Sequence, residues 1–301
     1  MNDKLIQLNG VTKRFGKNTV LDSVNLEIPE GKITGIIGAS GEGKSTILKI
    51  IASFYKPTAG KVLYFNRSIF KDIQNIKKSF GLAIEDGSFY ENLTVEENLF
   101  YFGHLYSVKE GVLIPRVKGL MHFVDLIDAK DILSKNLSLG MKKRLDIACS
   151  LIHKPSVLIL DEPTADLDPL LRYQIIKLIK KINSHGTTII FTTQLLEEAE
   201  EICDKVAILY NEKIIEHGSP SDIKDKYHVG DLDGAFRKIF SKKGRKTYQE
   251  SVEKKTEIKD EKQEKKEEEF SNKTFWSDDD NIKDMITKEE LEEFYSSDKK
   301  K

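Results

Sequence analysis

Cysteine is scarce in this chain, two in 301 residues, and the pair has neither the number nor the spacing of a disulfide framework or a zinc site. Cys149 and Cys203 each fall in an apolar helical stretch, where a thiol packs as a small hydrophobe, and a reducing compartment fits. An excess of one charge is also lacking. The 48 basic and 49 acidic side chains leave a formal charge of -1, so the broad positive field that draws nucleic acid is missing and no nucleic-acid partner is expected. Apolar runs such as ITGIIG at 33–38 and SVLIL at 156–160 fall far short of the roughly 18 residues a bilayer span needs. The opening MNDKLIQLNG carries an acid and no apolar core, so it reads as a first strand and not as a secretory leader.

What is present is a pattern of strands and helices. ITGIIG, SVLILD, TTIIFTT and KVAILY show no in-and-out alternation, as strands covered on both faces of a parallel sheet do. Shorter β-type runs, LIQL at 5–8, VNLEI at 24–28 and KVLYF at 61–65, add an antiparallel β region to an α/β core. Between them lie helical stripes: Ile47, Ile50, Ile51 and Phe54 form one. Leu171, Ile175, Leu178, Ile179 and Ile182 form another, which starts at Asp168 as N-cap with Pro169 as the first helical residue. Residues from about 94 to 136 hold little strand signal and read as an inserted helical subdomain, which we bound broadly at 88–150. From about residue 241 the composition turns to SKKGRK and EKKTEIKDEKQEKKEEE, which bury too little apolar surface to offset ordering. The chain therefore reads as one domain over 1–240 and a charged tail over 241–301. Phe270, Phe275, Trp276, Leu291, Phe294 and Tyr295 end that tail, with capping-box spacing at Thr287 and Glu290.

Two motifs carry chemistry. GASGEGKS, Gly38 to Ser45, follows a buried strand and opens an apolar-striped helix, the setting a phosphate-binding loop requires. Its backbone N–H groups converge on phosphate, Lys44 reaches the outer phosphates, and Ser45 offers a hydroxyl to Mg²⁺. Gly38, Ala39, Ser40, Gly41, Glu42, Gly43, Lys44, Ser45 and Thr46 are thus the candidate nucleotide-binding set. VLILDEP, Val157 to Pro163, ends a second buried strand in two carboxylates: Asp161 for the metal and Glu162 as a general base for an attacking water. Alone, such an acidic pair is more often a cap or a solvated turn. Beside a phosphate loop it is a catalytic pair.

Between the two motifs lies LSLGMKKRLDIA, Leu137 to Ala148, which resembles the signature segment of the ABC ATPase family, in the place where that family carries it. The LSLGM spelling resembles the branch that powers drug and polyketide exporters. The resemblance extends over about residues 3 to 240. It implies a P-loop NTPase fold of ABC type, ATP and Mg²⁺ as ligands, and a head-to-tail dimer in which Ser138 and Gly140 face the phosphate held by a second subunit. It also places Phe15 where the family stacks an aromatic ring on adenine, although by itself Phe15 would read as a core or hairpin residue. Ala165 to Asp168, ADLD, matches the family's dimer-crossing loop, and Gly230 to Phe240 resembles its closing helix.

Two positions depart from the family pattern. The glutamine that senses Mg²⁺ and the membrane partner aligns with Glu85, which can still coordinate the metal. The switch histidine aligns with Gln194, whose amide donates a hydrogen bond but cannot become cationic. The resemblance implies tight ATP binding with slow hydrolysis by a homodimer or heterodimer. That dimer would sit at the cytoplasmic face of a membrane, bound to a separate permease through residues near Glu85 to Leu99. Two other classes stay open: a soluble ABC-type ATPase, though neither a second cassette nor a long coiled-coil insertion is visible, and an ATP-gated dimerisation switch.

Overall fold

The computed structural model describes residues 4–71, 73–85 and 87–242. The expected charged tail and its aromatic end lie outside the described residues beyond the last turn of the final helix. By contacts the chain divides into Met1–Lys238 and Ile239–Lys301. Of the second unit the structure describes residues 239–242.

An antiparallel sheet comes first. It has the order β2-β1-β4-β5, from β1 (Lys4–Phe15), β2 (Asn18–Pro29), β4 (Ala59–Tyr64) and β5 (Arg67–Ser68). The central sheet has the order β10-β9-β3-β8-β7-β6, from β3 (Ile33–Ile37), β6 (Phe80–Ala83), β7 (Val157–Leu160), β8 (Thr188–Thr193), β9 (Lys205–Tyr210) and β10 (Lys213–Gly218). All its pairings are parallel except β9 with β10. This is the α/β architecture expected from the sequence, a mixed sheet with an antiparallel β region beside it.

The unbroken apolar runs have a direct explanation. Along each central strand, successive side chains enter two different cores. Ile33 and Ile37 of β3, Leu158 and Leu160 of β7, and Ile189 and Phe191 of β8 join one core with the helices. Ile36, Val157, Ile159 and Ile190 join the other, with β1, β2 and the helix α1 (Lys44–Ile51). Each fully covered Ile or Leu contributes about 1.5–3 kcal/mol, so a sheet buried on both faces has no use for alternation.

The first core takes in α3 (Val95–Leu105), α4 (Glu110–Phe123), α5 (Leu139–Leu151), α6 (Pro169–Ser184) and α7 (Leu196–Ile202). Helices α2 (Ile73–Lys77), α8 (Pro220–Tyr227) and α9 (Leu232–Lys242) complete the described chain. Asp168 caps α6, its carboxylate accepting from the N–H groups of Leu170 and Leu171, with Pro169 behind it. Thr94 and Glu97 form a reciprocal box that starts α3 and is worth about 1 kcal/mol.

One expected stripe is corrected. Helix α1 stops at Ile51, Ser53 turns through a left-handed φ of 61°, and Phe54 is 62% exposed. Leu48 completes the buried face with Ile47, Ile50 and Ile51. The turn at Ser53 takes Phe54 off the helix before its spacing can matter. Cys149 and Cys203 are both buried and unpaired, with burial raising both thiols far from reactivity. Among the described residues no helix is long and apolar enough to cross a membrane.

Candidate functional site

Strands β3, β8 and β7 lie side by side and parallel, so the segments that follow them emerge at one edge. This is where an open α/β sheet binds ligands. The loop after β3 turns at Gly41 and Gly43, whose φ values of 80° and 103° suit glycine, and runs into α1 at Lys44. The loop after β7 carries Asp161 and Glu162, and β8 leads to Gln194.

These segments enclose a cleft of about 230 Å³, lined by Val20, Ser40, Gly41, Gly43, Lys44, Ser45, Thr46, Glu85, Glu162 and Gln194. Lys44 is 5% exposed. Its ammonium donates to the carbonyls of Gly38, at 2.9 Å, and Ala39, at 3.2 Å, and pairs with Glu162 Oε1 at 2.9 Å. Ser45 Oγ donates to Asp161 Oδ1 at 3.1 Å, and Thr192 Oγ1 donates to the same oxygen at 2.7 Å. Thr192 Oγ1 in turn accepts from the N–H of Glu162 at 2.9 Å. Glu162 has a φ of 47°, an uncommon conformation for a side chain this large, costing about 1 kcal/mol or more. The Thr192 bond helps hold that backbone, and with it the carboxylate, against Lys44.

Other expected residues stand elsewhere. The Glu42 carboxylate turns away from the cleft to accept from the N–H of Asn211 at 2.8 Å, so its place in the loop is a matter of backbone. Phe15 lies at the end of β1, 43% exposed, edge-on to Tyr55 with Lys13 Nζ 4.8 Å from its ring centre. Ser138 caps α5, accepting from the N–H of Met141, and Gly140 is buried where an added Cβ would meet Leu171 Cδ2 at 3.0 Å. None of these lines the cleft.

Helix α5 is also tied to the segment containing Glu85. Lys143 Nζ donates to the Glu85 carbonyl at 2.8 Å, and Asp146 Oδ1 accepts from both the N–H and the hydroxyl of Ser88. Burial pushes the Asp146 carboxyl up to about 6, against the opposing pull of Ser88 and Lys143. A second buried carboxylate, Glu198 on α7, joins the threonines that follow Glu162 and precede Gln194. Reading of the sequence missed both acids. Asp146 sits in a basic helix and Glu198 in the acidic run LLEEAEE, and each looks like part of a solvated face.

Compared with known proteins, residues 21–165 match the family model described as ABC transporter. The chain is 31% identical over 220 residues to the linearmycin resistance ATP-binding protein LnrL of Bacillus subtilis (strain 168), covering 73% of this chain and 70% of that one. It is 33% identical over 222 residues to the probable multidrug ABC transporter ATP-binding protein YbhF of Escherichia coli (strain K12). That match takes in 74% of this chain but only 38% of YbhF, so the chain spans well under half the length of that relative. Among solved structures, an ATP-binding subunit of an ABC transporter superposes with a TM-score of 0.71 at 26% identity, over 78% of this chain and 99% of that one.

Proposed function

The chain belongs to the ATP-binding proteins of the ABC transporter family, and from that premise we propose that it binds and hydrolyses ATP to drive a separate transmembrane permease. The observation that carries the proposal is the convergence of Lys44, Ser45, Glu85, Glu162 and Gln194 on one cleft at the ends of three parallel strands. Lys44 and the backbone of Gly38 to Ser45 bind the triphosphate, the ammonium exchanging Glu162 for phosphate oxygens. Once released from Lys44, the Glu162 carboxylate is free to accept a proton from the attacking water as the bond to the terminal phosphorus forms and ADP leaves.

Ser45, Asp161 and Glu85 present oxygen donors only, which suits Mg²⁺, and Ser45 already bonds Asp161. When bound, the ion neutralises phosphate charge. Gln194 donates a neutral hydrogen bond where the family places a histidine, so hydrolysis is slow but present. Phe15 is the platform for adenine. Ser138 and Gly140 at the head of α5 close over nucleotide held by a second cassette, identical or related. The domain occupies residues 1–240, with the helical insert over about 88–150 and the tail after it.

The insert exposes Tyr90, Tyr101 and Leu105, a surface suited to a protein partner, and we assign it to the permease at the cytoplasmic face of the membrane. Export is the direction favoured by the LSLGM spelling and by the resistance named for LnrL. The decisive experiment is a titration of the purified chain with MgATP and with ATP in EDTA, coupled to sizing of the Glu162→Gln variant at saturating nucleotide. Binding that needs magnesium, together with dimerisation, is expected. A monomer with no magnesium-dependent affinity would sink the proposal.

A further inference from the structure

Glu198 is 4% exposed, on a helix where Glu197 and Glu201 face water. A buried carboxylate costs several kcal/mol unless its oxygens find partners. Its partners come from three different segments. One oxygen, Oε2, accepts from Thr164 Oγ1 at 2.9 Å and from Thr193 Oγ1 at 2.7 Å. The other, Oε1, accepts no hydrogen bond and faces Arg172 on α6 as an ion pair only, 3.4 Å from its Nε. Burial raises the carboxyl above the ordinary glutamate range, while the two threonines and Arg172 pull against it.

The three partners mark the edges of the proposed chemistry. Thr164 lies two residues after Glu162, at the entrance to the ADLD loop, and its carbonyl accepts from the N–H of Leu167 in that loop. Thr193 is the last residue of β8, next to Gln194, and its hydroxyl also accepts from the N–H of Leu195. Arg172 Nη2 donates to the carbonyl of Leu167. One side chain therefore ties together the loop after the general base, the strand end before residue 194 and the segment read as crossing the dimer.

We propose that Glu198 is a positioning residue for ATP hydrolysis, clamping Thr164 to Thr193 so that Glu162, Gln194 and the ADLD loop keep one fixed arrangement. The inference rests on the reading of the cleft as an ATPase site. Glu198 does not line the nucleotide cleft and touches no group proposed to contact phosphate, so its loss should change nucleotide affinity far less than turnover. The clamp acts on the barrier, because only in the transition state must Glu162 and residue 194 bear on the same water and phosphate.

The test is steady-state ATPase kinetics and MgATP binding of the full chain with Glu198→Ala, Glu198→Gln, Thr164→Val and Thr193→Val. Removing a hydrogen bond to a charged group corresponds to about a tenfold change. Glu198→Ala and Thr164→Val should thus lower kcat about tenfold, with KM and MgATP affinity within about twofold. Both threonine bonds converge on one oxygen, so the amide oxygen of Glu198→Gln can accept them both, while its NH2 replaces the oxygen that faces Arg172; this variant should recover part of kcat, above Glu198→Ala.

Wild-type kcat in a folded Glu198→Ala protein overturns the proposal. So does a parallel loss of kcat and affinity that Glu198→Gln does not repair, which would be ordinary core damage. If Glu198→Ala does not fold, the two threonine variants decide the matter in the same way: unchanged kcat in both overturns the clamp. A wild-type protein that binds and turns over no ATP would instead overturn the reading of the cleft on which this inference rests.

Discussion

Lys44 Nζ and Glu162 Oε1 form an ion pair at 2.9 Å, with both side chains at or below 10% exposure, closing the cleft between α1 and the loop after β7. A lysine in that position has three anchors: this carboxylate and the carbonyls of Gly38 and Ala39. A phosphate entering the cleft meets Glu162 as its rival. Replacing Glu162 with Gln removes the rival charge and the base together, while leaving an amide oxygen that still accepts from Lys44. We expect MgATP affinity to rise several-fold and turnover to fall about 10²-fold or more, read by nucleotide titration and phosphate release. Weaker binding by Glu162→Gln would show that the carboxylate assists the nucleotide and does not compete with it.

Gln194 lines the same cleft from the end of β8 and is exposed, so a histidine ring fits there without displacing core atoms. A glutamine amide donates one neutral hydrogen bond, whereas histidine can also carry charge at the moment negative charge builds on phosphate. Gln194→His should raise kcat several-fold at unchanged KM. An unaltered rate would mean that residue 194 takes no part in stabilising the transition state.

Much of this arrangement was legible in the sequence, because the informative signals are local. Lys44 and Ser45 sit in an eight-residue loop whose spacing is set by the phosphate it must wrap, and Asp161 and Glu162 end an apolar strand. Asp168 announces its helix by the proline that follows. What was not legible is tertiary. Glu197, Glu198, Glu200 and Glu201 are equivalent in composition, and only the packing of α7 decides that Glu198 turns inward. Phe54 fails for a related reason: it keeps the helical spacing of Ile47 and Ile51, but the chain leaves the helix at Ser53.

Asp146 gives a prediction about pH. Its carboxyl is pushed from 3.8 up to about 6, chiefly by burial. The folded protein thus holds this proton more tightly than the unfolded chain, and between about pH 4 and 6 ionisation of Asp146 withdraws stability that is fully present only below that window. Asp146→Asn keeps an oxygen for both Ser88 bonds but has nothing to ionise. Relative to wild type, the variant should gain on the order of 2 kcal/mol on going from pH 4.5 to 7.5, a difference visible in paired melting curves. Curves that stay parallel across this range would mean Asp146 is not a buried acid of this kind.

Phe15 tests an expected nucleotide contact that stands outside the cleft. Its ring is 43% exposed and makes an edge contact with Tyr55, so truncation removes little from either core. A base stacked on an aromatic face is held by about 1–3 kcal/mol, without regard to which base it is. Phe15→Ala should therefore weaken MgATP and MgGTP by similar factors of about five or more. Binding of inorganic triphosphate, which has no base to stack, should not change. Two outcomes argue against a stacking platform: ATP affinity that survives the truncation, or triphosphate affinity that falls with it. The second would place the effect in the phosphate loop, reached through β1 and β2, and Phe15 would then be a structural residue of the antiparallel sheet.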